Sequence, residues 1–260
     1  MTTSCRTAIE GYRESTRCNA SPELAPAVLD RLGLADRYRV IESAIGPVYV
    51  AWNPRGISAL RRAEGAEAFE RWFRKRFARR ALPATGEPEI VEQARRALAG
   101  EKVEVNVDLR DSTPFEAAVL QKAREIPSGH ARPYAWVARE IDRPRAMRAV
   151  GSALANNPVP LLIPCHRVVR SDYTIGDYIF GGDLKHDLLV HEGLEIDGLG
   201  GVSRRGIRFI SERGSTEFCL PACGNIWADT PEADRLAFHT CDEAQACGLR
   251  PCSTCRPIAA

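Results

Sequence analysis

Cys165 and His166 stand side by side at the end of an apolar run, Val159-Pro-Leu-Leu-Ile-Pro164. A thiol near its ordinary pKa of about 8.5 is mostly protonated at neutral pH, and an adjacent base is the usual means of making the thiolate nucleophile. Neighbours on an extended chain point to opposite sides, so His166 can serve Cys165 only through a bent backbone or a bridging water. For the pair alone, a buried packing cysteine beside a surface histidine is the competing reading. A second set of cysteines crowds towards the end of the chain. Cys219-x3-Cys223 and Cys252-x2-Cys255 are separated by 28 residues, a pattern suited to a tetrahedral four-thiolate zinc site. Cys241, Cys247 and His239 are spare donors near it, whereas Cys5 and Cys18 have no recognisable partners.

The whole chain sets bounds on this chemistry. Its 260 residues, 44% hydrophobic and 27% charged, suit one large or two modest globular domains with an appendage. Net charge is only +2, from 36 basic and 34 acidic residues, so nucleic-acid binding has to be argued from local pattern. No apolar run approaches the roughly 18 to 20 residues of a membrane span, and the N-terminus lacks the apolar core of a secretion signal. A cytoplasmic protein is expected, and in that compartment nine cysteines do not read as a disulfide framework.

The elements that must position these residues follow from periodicity. Residues 1–35 read as a leader broken by Pro22 and Pro26. Tyr38–Ile41, Val48–Trp52 and Ile57–Leu60 are β-rich, with a turn at Asn53-Pro-Arg-Gly56, and predict a small antiparallel meander. Phe69, Trp72, Phe73 and Phe77 fall on one face of a helix over 68–80 with a basic outer face, and a second helix is expected over 91–98. Residues 36–112 thus form a small α/β domain. Thr113-Pro-Phe-Glu116 is a helix start with a capping box and Pro at the first helical position. Helices over 113–126, 134–141, 145–154 and 184–192 follow, the middle two joined by Asp142-Arg-Pro-Arg145 as a helix-turn-helix. Gly193 to Gly206, with five glycines, reads as a linker (194–206), and 207–260 as a separate small module.

Residues 113–193 resemble the catalytic domain of the O6-alkylguanine-DNA alkyltransferases, the methylated-DNA–protein-cysteine methyltransferases. The resemblance rests on Thr113-Pro-Phe115, Arg148-Ala-Val-Gly151, Asn157-Pro-Val-Pro160, Ile163-Pro-Cys-His-Arg-Val168 and Leu188-Leu-x-His-Glu-Gly193, in family order and spacing. It implies a ribonuclease H-like α/β N-terminal domain followed by a helical, winged helix-turn-helix-like domain. It also implies repair of double-stranded DNA by a monomer that takes the alkyl group of O6-alkylguanine, and of O4-alkylthymine, irreversibly onto Cys165. His166 would remove the thiol proton through a water, Glu192 would orient His166, and Asn157 would brace the turn after the recognition helix. Arg148 would enter the stack as the base leaves, Tyr134 would sit near the rotated phosphate, and Tyr178 would lie beside the guanine. An alkyl carbon inside the stack has to be flipped out to be reached, and an inserted side chain offsets the lost stacking. The small residues Ala149, Gly151, Ser152 and Ala153 would let the helix approach the minor groove closely. Guanine repair needs no cofactor in this scheme. Two features depart from the family: Tyr173 stands where a turn glycine is usual, and Phe180 follows Tyr178 where small residues are usual.

The flanking words Glu217-Phe-Cys-Leu-Pro-Ala-Cys223 and Ala246-Cys-Gly-Leu-Arg-Pro-Cys-Ser-Thr-Cys-Arg-Pro257 resemble the zinc-binding domain of the bacterial adaptive-response protein Ada. That resemblance implies an α+β module in which the first cysteine, Cys219, accepts a methyl group from a DNA phosphotriester. Zinc bound by four thiolates carries excess negative charge, so one sulfur can stay nucleophilic. Against this stands the local charge: Arg235 and Arg250 face Asp229, Glu232, Asp234, Asp242 and Glu243 between the cysteine pairs, whereas a phosphate-seeking surface should be basic. A structural zinc module and a phosphotriester acceptor both stay open. For the chain as a whole, the alternatives are a lesion sensor without chemistry, which Cys165 opposes, and a Cys-His hydrolase, for which no flanking motif is present.

Overall fold

The three β-rich runs pair as expected in a computed structural model, which describes residues 28–29, 33–224 and 226–257. The leader, with Cys5 and Cys18, lies outside these apart from 28–29 and 33–35. Strands β1 (Ala35–Ile41), β2 (Val48–Asn53) and β3 (Gly56–Arg62) form an antiparallel meander. A fourth strand, β4 (Arg80–Pro83), adds to β1 in parallel, giving the order β3-β2-β1-β4. Alternation sends β2 to two cores. Val48, Val50 and Trp52 face the large core, while Tyr49 and Ala51 meet Phe69, Phe73 and Phe77 of α1 (Ala66–Phe77), so every β2 residue is buried. Asn53 ties the sheet to the following segment, donating to Asp36 at 2.9 Å and Asp108 at 2.8 Å. Arg79 binds Asp36 and Asp111.

Helix α2 (Glu89–Leu98) places Val91 and Ala94 in the large core. That core continues into the helical half through α3 (Pro114–Arg124), α4 (Tyr134–Glu140) and α5 (Met147–Ala155). The Thr113 capping box is complete: the hydroxyl accepts from the Glu116 amide, and the Glu116 carboxylate accepts from Thr113 N–H. Between α3 and α4 lies β5 (Arg132–Pro133), paired in parallel with β6 (Val168–Val169). Helix α6 (Gly182–His191) closes this half.

The glycine-rich segment does not behave as a linker. It holds α7 (Leu199–Arg204) and buries Leu194, Ile196, Leu199 and Val202. The expected flexibility was read from glycines alone. Apolar side chains spaced among them have a core to enter, and that burial outweighs the helix propensity that Gly200 and Gly201 lack. The last residues build β7 (Phe209–Glu212) against β9 (Arg235–Phe238), and β8 (Glu217–Phe218) against β10 (Arg250–Pro251). Two helices, α8 (Ile226–Asp229) and α9 (Cys241–Ala246), complete an α+β arrangement. No helix among the described residues is long and apolar enough to cross a membrane.

Candidate active site and metal centre

The run before Cys165 is not a strand. Leu161 takes φ 72, and Cys165–Arg167 form a 3-10 turn that leads into β6. The bend places both Cys165 and His166 in the interior, 5% and 2% exposed. Asn157, where α5 ends, binds three parts of this turn. Its amide donates to Ile163 O at 2.9 Å and to Cys165 Sγ at 3.1 Å, and its oxygen accepts from Val159 N–H at 3.0 Å.

His166 Nε2 lies 2.8 Å from Glu192 Oε1 at the end of α6. Its Nδ1 is buried without a protein partner, which leaves a ring nitrogen for a small polar bridge such as water. Glu192 is clamped from the other side by Arg167, whose Nε and Nη2 donate at 2.9 and 2.8 Å while Nη1 donates to Ile126 O. Burial opposes ionisation of Glu192, yet the hydrogen bonds from His166 and Arg167 hold it down at about 2. Burial pulls His166 below its ordinary value despite Glu192. The imidazole is therefore neutral at pH 7 and able to accept a proton.

Burial pushes the Cys165 thiol up, while the Asn157 amide and the Lys185 charge act the other way. A resting thiol and a neutral imidazole therefore stand side by side at pH 7. Lys185 was missed in the sequence. It is fully buried on α6, donates to Val168 O at 2.6 Å and lies 5.7 Å over the Tyr134 ring. Burial lowers it to about 8, against the Cys165 charge. The signal was available: Lys185 shares a helix face with Leu188 and Leu189, and a lone lysine on an apolar face needs an anionic or carbonyl partner. Arg167 was quoted within a motif without a role.

A cavity of about 490 Å³ opens onto Cys165 and is lined by Tyr134, Arg148, Gly151, Ser152 and Tyr178 among others. Helix α5 turns Val150, Ala153 and Leu154 inward and leaves Arg148, Ala149 and Ser152 exposed at the mouth. Gly151 faces the Tyr134 ring, where a Cβ would make an ordinary contact at 3.9 Å. The Tyr178 hydroxyl is buried without a protein partner, and its ring meets His166 and Phe180 edge-on. All of the expected base-pocket residues except Ala149 thus line one cavity, with Ala149 on the adjoining outer face. Phe180 packs on the large core and borders a separate groove with Trp72 and Asn157.

Cys219, Cys223, Cys252 and Cys255 converge, their sulfurs all within 4.8 Å of one another and buried. Four thiolates are the donor set of structural zinc. Leu220 N–H donates to Cys255 Sγ at 3.3 Å, and Arg132 Nη2 lies 3.8 Å from Cys223 Sγ, both directed at sulfur that would be anionic with a metal bound. His239, one of the spare donors, instead contacts Gly206 O.

Glu192 provides a pH test of this arrangement. Its depressed value means that its contribution to stability is present above the usual carboxylate range and is lost as pH falls towards about 2. Urea unfolding of wild type should lose up to about 3 kcal/mol more than Glu192→Gln between neutral pH and about pH 2. Parallel pH profiles for the two proteins would remove the clamp from the account.

Residues 114–194 match the family model described as 6-O-methylguanine DNA methyltransferase, DNA binding domain. A methylated-DNA–protein-cysteine methyltransferase of Methanosarcina barkeri is 36% identical over 157 residues, 58% of this chain and 94% of that protein. The bifunctional transcriptional activator/DNA repair enzyme Ada of Escherichia coli is 33% identical over 61% of this chain and 46% of its own length. Among solved structures, Mycobacterium tuberculosis OGT in complex with DNA aligns with a TM-score of 0.51 at 32% identity, covering 63% of this chain and 98% of that one.

Proposed function

This chain belongs to the methylated-DNA–protein-cysteine methyltransferase family and is a DNA-repair enzyme, and from that premise we propose that Cys165 is its alkyl acceptor. The observation that carries the assignment is a buried thiol held by Asn157 and lining a cavity of about 490 Å³, with a neutral histidine in the next position. Cys165 Sγ attacks the alkyl carbon on O6, the C–O bond breaks, and the electron pair leaves on the guanine. The thiol proton passes by way of water to His166 Nδ1, and the imidazolium is held by Glu192. Tyr178 O–H, lacking any protein partner, donates to the base as its charge grows. The thioether left on Cys165 is an unactivated C–S bond that water does not displace, so each chain acts once.

DNA is bound through the outer face of α5 in the minor groove, with the alkylguanine flipped past Arg148, which fills the gap in the stack. O4-alkylthymine offers the same alkyl–oxygen bond. The α/β half is ribonuclease H-like, residues 113–193 form the winged helix-turn-helix-like half, and 207–260 form the module that binds one zinc through Cys219, Cys223, Cys252 and Cys255. With carboxylates predominating between its cysteine pairs, that zinc is structural and Cys219 a ligand rather than a phosphotriester acceptor. The protein works as a monomer in the cytoplasm. Incubation with duplex DNA carrying [³H-methyl]-O6-methylguanine should move about one label per chain, recovered as S-methylcysteine in the peptide containing Cys165. Binding without label transfer would leave a lesion sensor; repeated turnover would exclude a suicide acceptor.

A further inference from the structure

Arg132 is the largest fully buried side chain of the described residues. Its guanidinium donates to Ala131 O at 2.8 Å, Ala222 O at 3.2 Å and Thr254 O at 3.4 Å, and lies 3.8 Å from Cys223 Sγ. No carboxylate lies within ion-pair distance of it among the described residues. A permanently charged group so deeply buried needs an anion. Four thiolates on a divalent ion leave two negative charges in excess, which would be that anion.

The same surface is stitched at further points. Trp136 Nε1 donates to Cys255 O at 2.7 Å, Arg139 donates to Arg256 O at 2.9 Å, and Arg256 returns to pair with Glu125 and Glu140. Ala131 N–H donates to Ala222 O at 2.9 Å. Tyr173, which takes the left-handed φ of 64 in place of a turn glycine, is buried in a cluster with Ala131, Val169, Leu194 and Ala222. A bulky residue in that backbone region is strained, and here its ring fills the seam between the helical half and the four-cysteine module.

We propose that the four-cysteine centre is a brace for the alkyl-transfer site, with Arg132 as the positioning residue that couples metal occupancy to it. The connection is short. Arg132 and Pro133 form β5, whose partner β6 continues directly from the Cys165–Arg167 turn, and Tyr134 of the base cavity follows Pro133. Metal loss frees Cys223 and the Ala222 and Thr254 carbonyls from the positions in which Arg132 binds them, so the cation draws water in and the β5–β6 pair loosens. The module is thus a part of the catalytic half, unlike a tethered unit whose removal leaves base repair intact.

The coupling rests on the four-thiolate zinc reading and is tested separately from it in the full chain. Metal content comes first: wild type should carry about one zinc, and a folded wild type without metal overturns the zinc reading itself. Zinc release to a chromogenic chelator should then be at least about tenfold faster in Arg132→Met, with Arg132→Lys within about threefold of wild type because it keeps the charge. Chelation of wild type under reducing conditions should raise deuterium exchange in peptides spanning 131–136 and 165–170, and slow alkyl transfer to free O6-benzylguanine. Trp136→Phe keeps Arg132 and loses the bond to Cys255 O together with the indole ring beneath the Arg132 and Arg256 guanidiniums. If Arg132→Met does not fold, release at least about threefold faster in Trp136→Phe carries the same conclusion. Zinc-bearing proteins that release metal at the wild-type rate in Arg132→Met, or in Trp136→Phe when it stands in, overturn the coupling alone, as does unchanged exchange on chelation.

Discussion

Cys165→Ala is expected to bind duplex DNA containing O6-methylguanine with near wild-type affinity and to transfer no label to protein. The substitution removes only the sulfur. Asn157 still holds Ile163 O and Val159 N–H, so the turn that shapes the cavity floor persists. Arg148 and Tyr134 remain at the mouth and wall. Without Sγ no other nucleophile occupies that floor: Lys185 is committed to Val168 O and lies over the Tyr134 ring. Transfer should fall at least about 1000-fold, to background, because the thioether-forming step has no substitute. The measurement pairs gel-shift affinity with label transfer in the same samples. Label arriving on the alanine protein at an appreciable rate would move the acceptor elsewhere, to one of the module cysteines. Weakened binding alone would mean that the thiol also supports the pocket, since Asn157 would keep one hydrogen unpaired.

The site was legible wherever chemistry is written in a contiguous word. Pro164-Cys-His-Arg167 marked a candidate nucleophile, and the resemblance carried by motifs in family order and spacing implied the places of Asn157, Arg148, Tyr134 and Tyr178 around it. The capping box at Thr113 and the β-rich run of β2 were readable for the same reason, as each is a local pattern. What escaped depends on distant partners. Strand β4 is four residues with an arginine and a proline, and it is a strand only because β1 offers an open edge. Lys185 is a site residue only because α6 turns it towards Val168. Arg132, in Ala-Arg-Pro, carries no signal at all, since its partners other than Ala131 lie 90 residues or more downstream. The glycines of 193–206 misled because composition says how a chain can bend and nothing about what it packs against.

Arg148→Ala should separate flipping from chemistry. The side chain lies exposed on α5 at the mouth of the cavity, and no contact ties it into the core. Its backbone carbonyl, which accepts from Ser152 at 3.2 Å, is unaffected by truncation, and alanine is a good helix former. The fold and the floor of the pocket should therefore survive unchanged. What is lost is the group that occupies the duplex when the target base leaves it. Unstacking and unpairing a base costs a few kcal/mol, part of which an inserted side chain recovers. Loss of about 2 kcal/mol of that compensation slows repair in duplex DNA by roughly 30-fold. Free O6-benzylguanine is already out of any stack, so its reaction with Cys165 should stay within about twofold of wild type. Second-order rates on the two substrates give the ratio directly. A single-stranded oligonucleotide should fall between them, because stacking there is partial and no pairing has to be broken. Equal losses on duplex and free base would mean that Arg148 shapes the pocket, and the outer face of α5 would then lose its role in extracting the base.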